Sequence, residues 1–192
     1  MLDAGFTSAY SAASAKLRLD VVVRNEVESG RSPGPRIRAA SPEITVTGGL
    51  GDENRQHMAR DSFGIVADGP EAIASAVRTC IREGVDNIKL NISGDDFVPA
   101  KGGMTVMREE EVRIACEVAH DFGRRVASHS RASNAVRRAV QCGVDVIYHC
   151  EMADSEALDL LEAARDRVFV GPAIGLIHNA SRGHPRAVNN LA

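Results

Sequence analysis

The stretch GVDNIKLNIS, residues 84–93, decides how the chain is read. Gly84 closes a preceding amphipathic segment, and the residues after it alternate in character. Side chains on a strand point to opposite faces in turn. Ile88, Leu90 and Ile92 therefore form one apolar row, and Asn87, Lys89 and Asn91 the other. A strand of an open parallel sheet covered by helices is normally apolar on both faces. A polar row calls instead for a polar interior, which a barrel has near its active site. The lysine needs its own explanation, because removing an unpaired ammonium from water is costly.

Around this stretch the sequence repeats a strand–helix grammar. PEAIASAVRTCIREG (70–84) carries Pro70 at a first helical position, apolar residues at helical spacing and Gly84 as a stop. REEEVRIACEVAHDFG (108–123) predicts a second amphipathic helix ending at Gly123, followed by a strand in RRVASHS (124–130). SNAVRRAVQCG, with Ser133 expected as N-cap, leads to a strand in VDVIYHC (144–150). DSEALDLLEAARD, capped by Asp154 or Ser155, leads to RVFVGPA (167–173). Upstream, GFTSAYSA (5–12) and PRIRAAS (35–41) read as strands, with a helix in AKLRLDVVVRNEVESG (15–30) between them. Residues 42–69 read as one long connecting loop, rich in Gly, Asp and polar groups, of the kind often used for function.

Alternating strands and helices predict an α/β fold with a parallel sheet and helices outside it. The count is about six strands, whereas a closed (β/α)8 barrel needs eight and about 250 residues. MLDAG at the start reads as the tail of a helix. The pattern leaves two architectures open, an open α/β sheet or an internal piece of a barrel. No low-complexity linker divides residues 1–192, so one domain is expected.

Composition narrows the function classes. With 192 residues, 44% hydrophobic, the chain can bury a sizeable core. Neither a bilayer-spanning apolar run nor a signal peptide is visible, so no membrane association is expected. The charges are well mixed, and two tyrosines and no tryptophan give nucleic acid little to stack on. Cys80, Cys116, Cys142 and Cys150 form no CxxC pair and sit mostly in apolar periodic segments. Buried free thiols in a reducing cytoplasm are expected.

Two further strands carry chemistry at their ends: His129 in VASHS and His149 in VIYHC. Together with Lys89 they place one potential ligand near the C-terminal end of each of three consecutive strands, where parallel α/β folds build their sites. Imidazole suits zinc and similar transition metals. An ammonium has no lone pair and cannot be a ligand, but a carbamate on Lys89 would present two anionic oxygens able to bridge two cations. Plainer roles compete with this: a hydrogen-bonded structural histidine, a lysine that snorkels to solvent, or a Schiff-base lysine. Arg131 shares the inward row with Ala127 and His129 and is a candidate substrate contact, against a surface arginine. Asp95 and Asp96 in SGDDF read as a solvated turn or a metal or substrate contact, and His178 and His184 as loop residues. TGGLGD (47–52) lacks the strand–GxGxxG–helix setting of a nucleotide site.

In order along the chain, GFTSAYSA, SPGPRIRAASPEITVTGGLGDEN, GVDNIKLNISG, VASHSRASNAVRRAVQCGVDVIYHCE and VFVGPAIG resemble the metal-dependent amidohydrolase superfamily. The resemblance is to its imidazolonepropionase-like and Xaa-Pro-dipeptidase-like branch, near members that hydrolyse phenylureas and thiocarbamates. It implies a (β/α)8 barrel of which this chain holds about strands two to seven. It also implies two metal ions, zinc before others, held by Lys89 as a carbamate, His129 and His149, which are the expected catalytic residues. The family's first-strand HxH and eighth-strand aspartate have no counterpart in the sequence, and Leu50 stands where many relatives have histidine. The implied function is hydrolysis of an amide, urea, carbamate or peptide bond in a small molecule by metal-activated water. An inactive fragment or binding protein of the same fold and a Schiff-base lyase using Lys89 are the alternatives. Lacking the outer strands, the chain is expected to have little activity of its own and to form homo-oligomers through unpaired sheet edges.

Overall fold

The structure, a computed structural model, describes residues 1–54, 62–95, 98–175 and 178. After a single 3-10 turn at Leu2–Ala4 come β1 (Ser8–Tyr10), α1 (Leu19–Glu28), β2 (Arg36–Arg38), β3 (Ala40–Thr45) and β4 (Gly64–Val66). Then α2 (Pro70–Arg82), β5 (Asn87–Asn91), α3 (Glu109–Asp121), β6 (Arg125–Ala132) and α4 (Ser133–Cys142) alternate regularly. The last units are β7 (Val146–Met152), α5 (Ser155–Ala163) and β8 (Phe169–Gly171). Every pairing between these strands is parallel. The main sheet runs β4-β3-β5-β6-β7-β8, and β1 pairs with β2. Only Ala39 separates β2 from β3, so β1, the β2–β3 ribbon, β5, β6, β7 and β8 succeed one another as six staves. Among the described residues no pairing joins β8 to β1, and the barrel is partial.

The alternation in β5 does what its sequence requires. Ile88, Leu90 and Ile92 are fully buried in one cluster with Val77 of α2 and Val112 and Ala115 of α3. Burying each such side chain contributes about 1.5–3 kcal/mol. Asn87, Lys89 and Asn91 turn to the other face and are buried as well. The two GVD tripeptides act as staples at the strand starts. Asp86 Oδ2 accepts from the Ala39 amide at 2.8 Å, and Asp145 Oδ2 accepts from the Val126 amide at 2.8 Å. Each satisfies a backbone donor of a neighbouring strand and so helps set the register. The carboxylate of Glu111 accepts from the amides of Arg108 (2.7 Å) and Gly69 (2.8 Å), tying the first turns of α3 and α2 together.

Two local expectations are corrected. Residues 42–69 are not one loop: β3 continues to Thr45, and Gly64–Val66 forms β4 beside it. Pro42 masks the strand, because proline cannot donate to a ladder. The register shift between Ala40 and Glu43 accommodates it. Ser133 is the first helical residue of α4 and Ala132 the N-cap. The Ser133 hydroxyl instead donates to the Met152 carbonyl at 2.7 Å and accepts from the Asp154 amide at 2.9 Å, linking α4 to the end of β7. Asp154 caps α5 as expected, accepting from the Ala157 amide at 2.9 Å. All four cysteines are free, and three are buried. Burial pushes the Cys80 thiol up to about 11. Among the described residues no helix is long and apolar enough to cross a membrane.

Candidate active site

Four adjacent staves bring chemistry to one face. Glu43 on β3 lies opposite Lys89 on β5 in the strand register. One strand further, Asn91 lies opposite His129, and β6 in turn pairs with β7, which carries His149. Lys89 is 4% exposed. Its Nζ donates to Asn91 Oδ1 at 3.0 Å and stands 3.7 Å from Glu43 Oε1. Asn91 in turn donates through Nδ2 to the Leu50 carbonyl at 2.8 Å, so the TGGLGD segment folds over this pair. Gly51 sits at φ +90°, and a Cβ there would come within 3.0 Å of Glu43 Oε2 and 3.5 Å of Asn91 Nδ2. Glycine is required at that point both for the turn and for the close approach.

The two histidines meet with ring centroids 4.6 Å apart in an edge-to-face arrangement. This meeting depends on the backbone. In a regular strand Tyr148 and His149 would point to opposite faces. Here His149 and Cys150 have φ of 80° and 61°, and the β6–β7 register slips between Ser130 and Ala132. The irregularity re-aims His149, whose ring comes to 6.4 Å from that of Tyr148 and beside His129. Lys89 Nζ lies 5.9 Å from the Tyr148 ring centroid, completing the cluster. Two successive non-glycine residues in the left-handed region cost about 1–3 kcal/mol each, and such strain concentrates where side-chain direction matters.

The electrostatics suit metal-ligating chemistry. Burial, followed by the charge of Lys89 and the neighbouring His149, depresses the pKa of His129 to about 2. Burial lowers that of His149 as well, against the opposing pull of Glu151. Both rings are therefore neutral at ordinary pH, the form in which imidazole has a lone pair to give. His129 Nε2 faces the Gly94 carbonyl at 3.1 Å and Asp95 Oδ2 at 3.6 Å. Both partners only accept, so Nε2 carries the proton and Nδ1 keeps the lone pair. Burial lowers the pKa of Lys89, against the stabilising charge of Glu43. Among the described residues no group of three or more His, Cys, Asp or Glu side chains is placed to hold a metal. Two imidazoles are a sparse donor set, and a carbamate on Lys89 would add anionic oxygens to it.

Arg131 is not a surface arginine. Its side chain is 12% exposed, with Nη1 donating to Asp95 Oδ1 at 2.9 Å and Nε to Glu151 Oε1. Asp95 is thus drawn into the cluster, whereas Asp96 and His184 lie outside the described residues. His178 is exposed. Beside His149 a cavity of about 610 Å³ opens between β7, β8 and α5, lined in part by Glu151, Leu158, Leu161, Val170 and Ile174.

Glu43 and Tyr148 were not legible as site residues. Glu43 could have been found from the alternation of Ser41, Glu43 and Thr45, had Pro42 not hidden the strand. Tyr148 and His149 on one face could not, because YHC contains no glycine to announce the left-handed pair.

No protein-family model matches the chain. A search of solved structures finds a Xaa-Pro dipeptidase holding methionine in its active site, with TM-score 0.84 and 29% identity, covering 93% of this chain and 45% of that one. A prolidase complexed with N-methylphosphonate-L-proline superposes with TM-score 0.84 and 29% identity, over 99% of this chain and 49% of that one. The fold is that of the amidohydrolase superfamily. Among curated proteins, ochratoxinase of Aspergillus niger is 25% identical over 161 residues, 73% of this chain and 33% of its own length. The chain thus spans about half the length of these amidohydrolase-superfamily structures and a third of ochratoxinase. On this sheet, Lys89, His129 and His149 occupy three adjacent strands and converge on one face.

Proposed function

We propose that this chain carries part of the active site of a metal-dependent hydrolase that cleaves a C–N bond (amide, urea, carbamate or peptide) in a small molecule. The observation that carries the reading is the convergence of a buried lysine and two neutral, facing imidazoles on adjacent parallel strands. The resemblance to a Xaa-Pro dipeptidase and to ochratoxinase supports it. Lys89 as a carbamate, His129 through Nδ1, and His149 would hold a divalent metal pair, with zinc the first candidate. When bound, such ions lower the pKa of a coordinated water and polarise the scissile carbonyl.

The chain's own residues prepare that site. The sheet keeps Lys89 and His129 out of bulk water, which strengthens every electrostatic contact among them. Glu43 and Asn91 orient the Lys89 amine, and Gly94 fixes the His129 tautomer.

The test is to load the protein with zinc and ¹³C-bicarbonate, count bound metal, and look for a carbamate carbon by NMR. Lys89→Ala should lose the signal and most of the zinc, with short carboxylic acids restoring part of the binding. Xaa-Pro dipeptides, N-acyl amino acids and phenylureas form the substrate panel. Unchanged zinc binding in both Lys89→Ala and His129→Ala would refute the site. Covalent trapping of a carbonyl substrate on Lys89 by borohydride would favour a Schiff-base lyase instead.

A further inference from the structure

Arg131 is bound on several sides within one small region. Its backbone amide donates to Ser93 Oγ at 3.0 Å, Nη1 to Asp95 Oδ1 at 2.9 Å, and Nε to Glu151. One face of the guanidinium is covered by Gly102: a Cβ there would stand 2.9 Å from Nη1 and 3.1 Å from Cζ. The turn that Arg131 grips is the one that touches His129. Gly94 donates to the Met104 carbonyl at 3.0 Å and Asp95 to the Ala100 carbonyl at 2.9 Å, so the turn closes on itself. It presents the Gly94 carbonyl and the Asp95 carboxylate to His129 Nε2, at 3.1 and 3.6 Å. At the other end of the clamp, Glu151 belongs to β7, two residues beyond His149.

We propose that Arg131 is a positioning residue: by clamping the Gly94–Asp95 turn and Glu151 together, it holds two acceptors on His129 Nε2 and so reserves Nδ1 as the ring's lone-pair donor. The inference rests on the metal-site reading for its purpose, but its geometry stands without it. It gives Arg131 a role other than substrate contact, since Nε, Nη1 and one face are already engaged. It also fits glycine at 102, where a Cβ would crowd the guanidinium. Removing the cation would leave Asp95 and Glu151 without their shared counter-charge, and the turn would lose its grip on the imidazole. Partners that orient a ligating histidine are worth about 10–100-fold in metal affinity.

The experiment uses the full chain labelled with ¹⁵N in its histidine rings, stripped of metal and held at pH 8. Long-range ¹H–¹⁵N correlations report which ring nitrogen carries the proton. His129 should be in the Nε2–H form in the unmodified protein. Arg131→Gln, and independently Gly102→Ala, which keeps the cation but displaces it, should give a mixture of tautomers and a zinc affinity reduced about 10–100-fold. Arg131→Lys, with charge but no fork, should restore only part of either. Circular dichroism shows which variants are folded, and Gly102→Ala serves where Arg131→Gln is not. A folded Arg131→Gln or Gly102→Ala protein that keeps pure Nε2–H at His129 would overturn the proposal, whatever its zinc affinity. If the unmodified protein binds no zinc while the variants still lose the tautomer, the metal-site reading of this chain fails and the role of Arg131 stands.

Discussion

His129 should make the metal-free protein progressively less stable as the pH falls below neutrality. In the folded chain its pKa is depressed to about 2 by burial and by the nearby Lys89 and His149. In the unfolded chain it returns to its ordinary value of 6.5. Between those values the unfolded state binds the extra proton, so protonation favours unfolding. The contribution is fully present above pH 6.5 and is lost as the pH falls towards 2. Each full unit inside that window is worth about 1.4 kcal/mol. From pH 7 to pH 5 the loss from this residue is about 2 kcal/mol, and the whole interval lies above the folded pKa. A mesophilic domain has only about 5–15 kcal/mol to lose, so the effect is large. Urea titrations in EDTA at pH 7, 6 and 5, with linear extrapolation, measure it directly. His129→Gln keeps an amide able to donate to the Gly94 carbonyl but removes the titration. The His149 contribution, shifted in the same direction, is common to both proteins. The unmodified protein should therefore lose about 2 kcal/mol more than His129→Gln between pH 7 and 5. Equal losses in the two would show that His129 is not held neutral by its surroundings.

Three further outcomes test the packing that positions the site. Gly51→Ala should cost about 1–3 kcal/mol in urea unfolding, because φ is +90° and the new methyl meets Glu43; a neutral result would mean that the TGGLGD turn relaxes freely. Leu90→Ala, on the fully buried row of β5, should cost about 2–5 kcal/mol, and a loss below 1 kcal/mol would contradict that burial. Asp154→Ala should cost about 0.5–2 kcal/mol by removing the cap on the Ala157 amide, with Asp154→Asn recovering most of it.

The parallel α/β order, the helices ending at glycine, and the two faces of β5 were readable from spacing alone, because period 2 and period 3.6 are local properties of backbone geometry. The strand-end positions of Lys89 and His129 on neighbouring strands were readable as well, since strand ends in such a sheet lie side by side. What the sequence could not display depends on contacts between distant segments. Glu43 becomes the partner of Lys89 only because a shift of register around Pro42 sets the two opposite each other. His149 reaches His129 only because two residues without glycine adopt left-handed backbone, a strain that neighbouring strands must hold in place. Arg131 read more readily as a surface side chain than as a substrate contact, and only the folding of Asp95, Gly102 and Glu151 around its guanidinium decided where it sits. Local periodicity is written in neighbouring residues, whereas the direction of a side chain at an irregularity is settled by energy shared across the whole sheet.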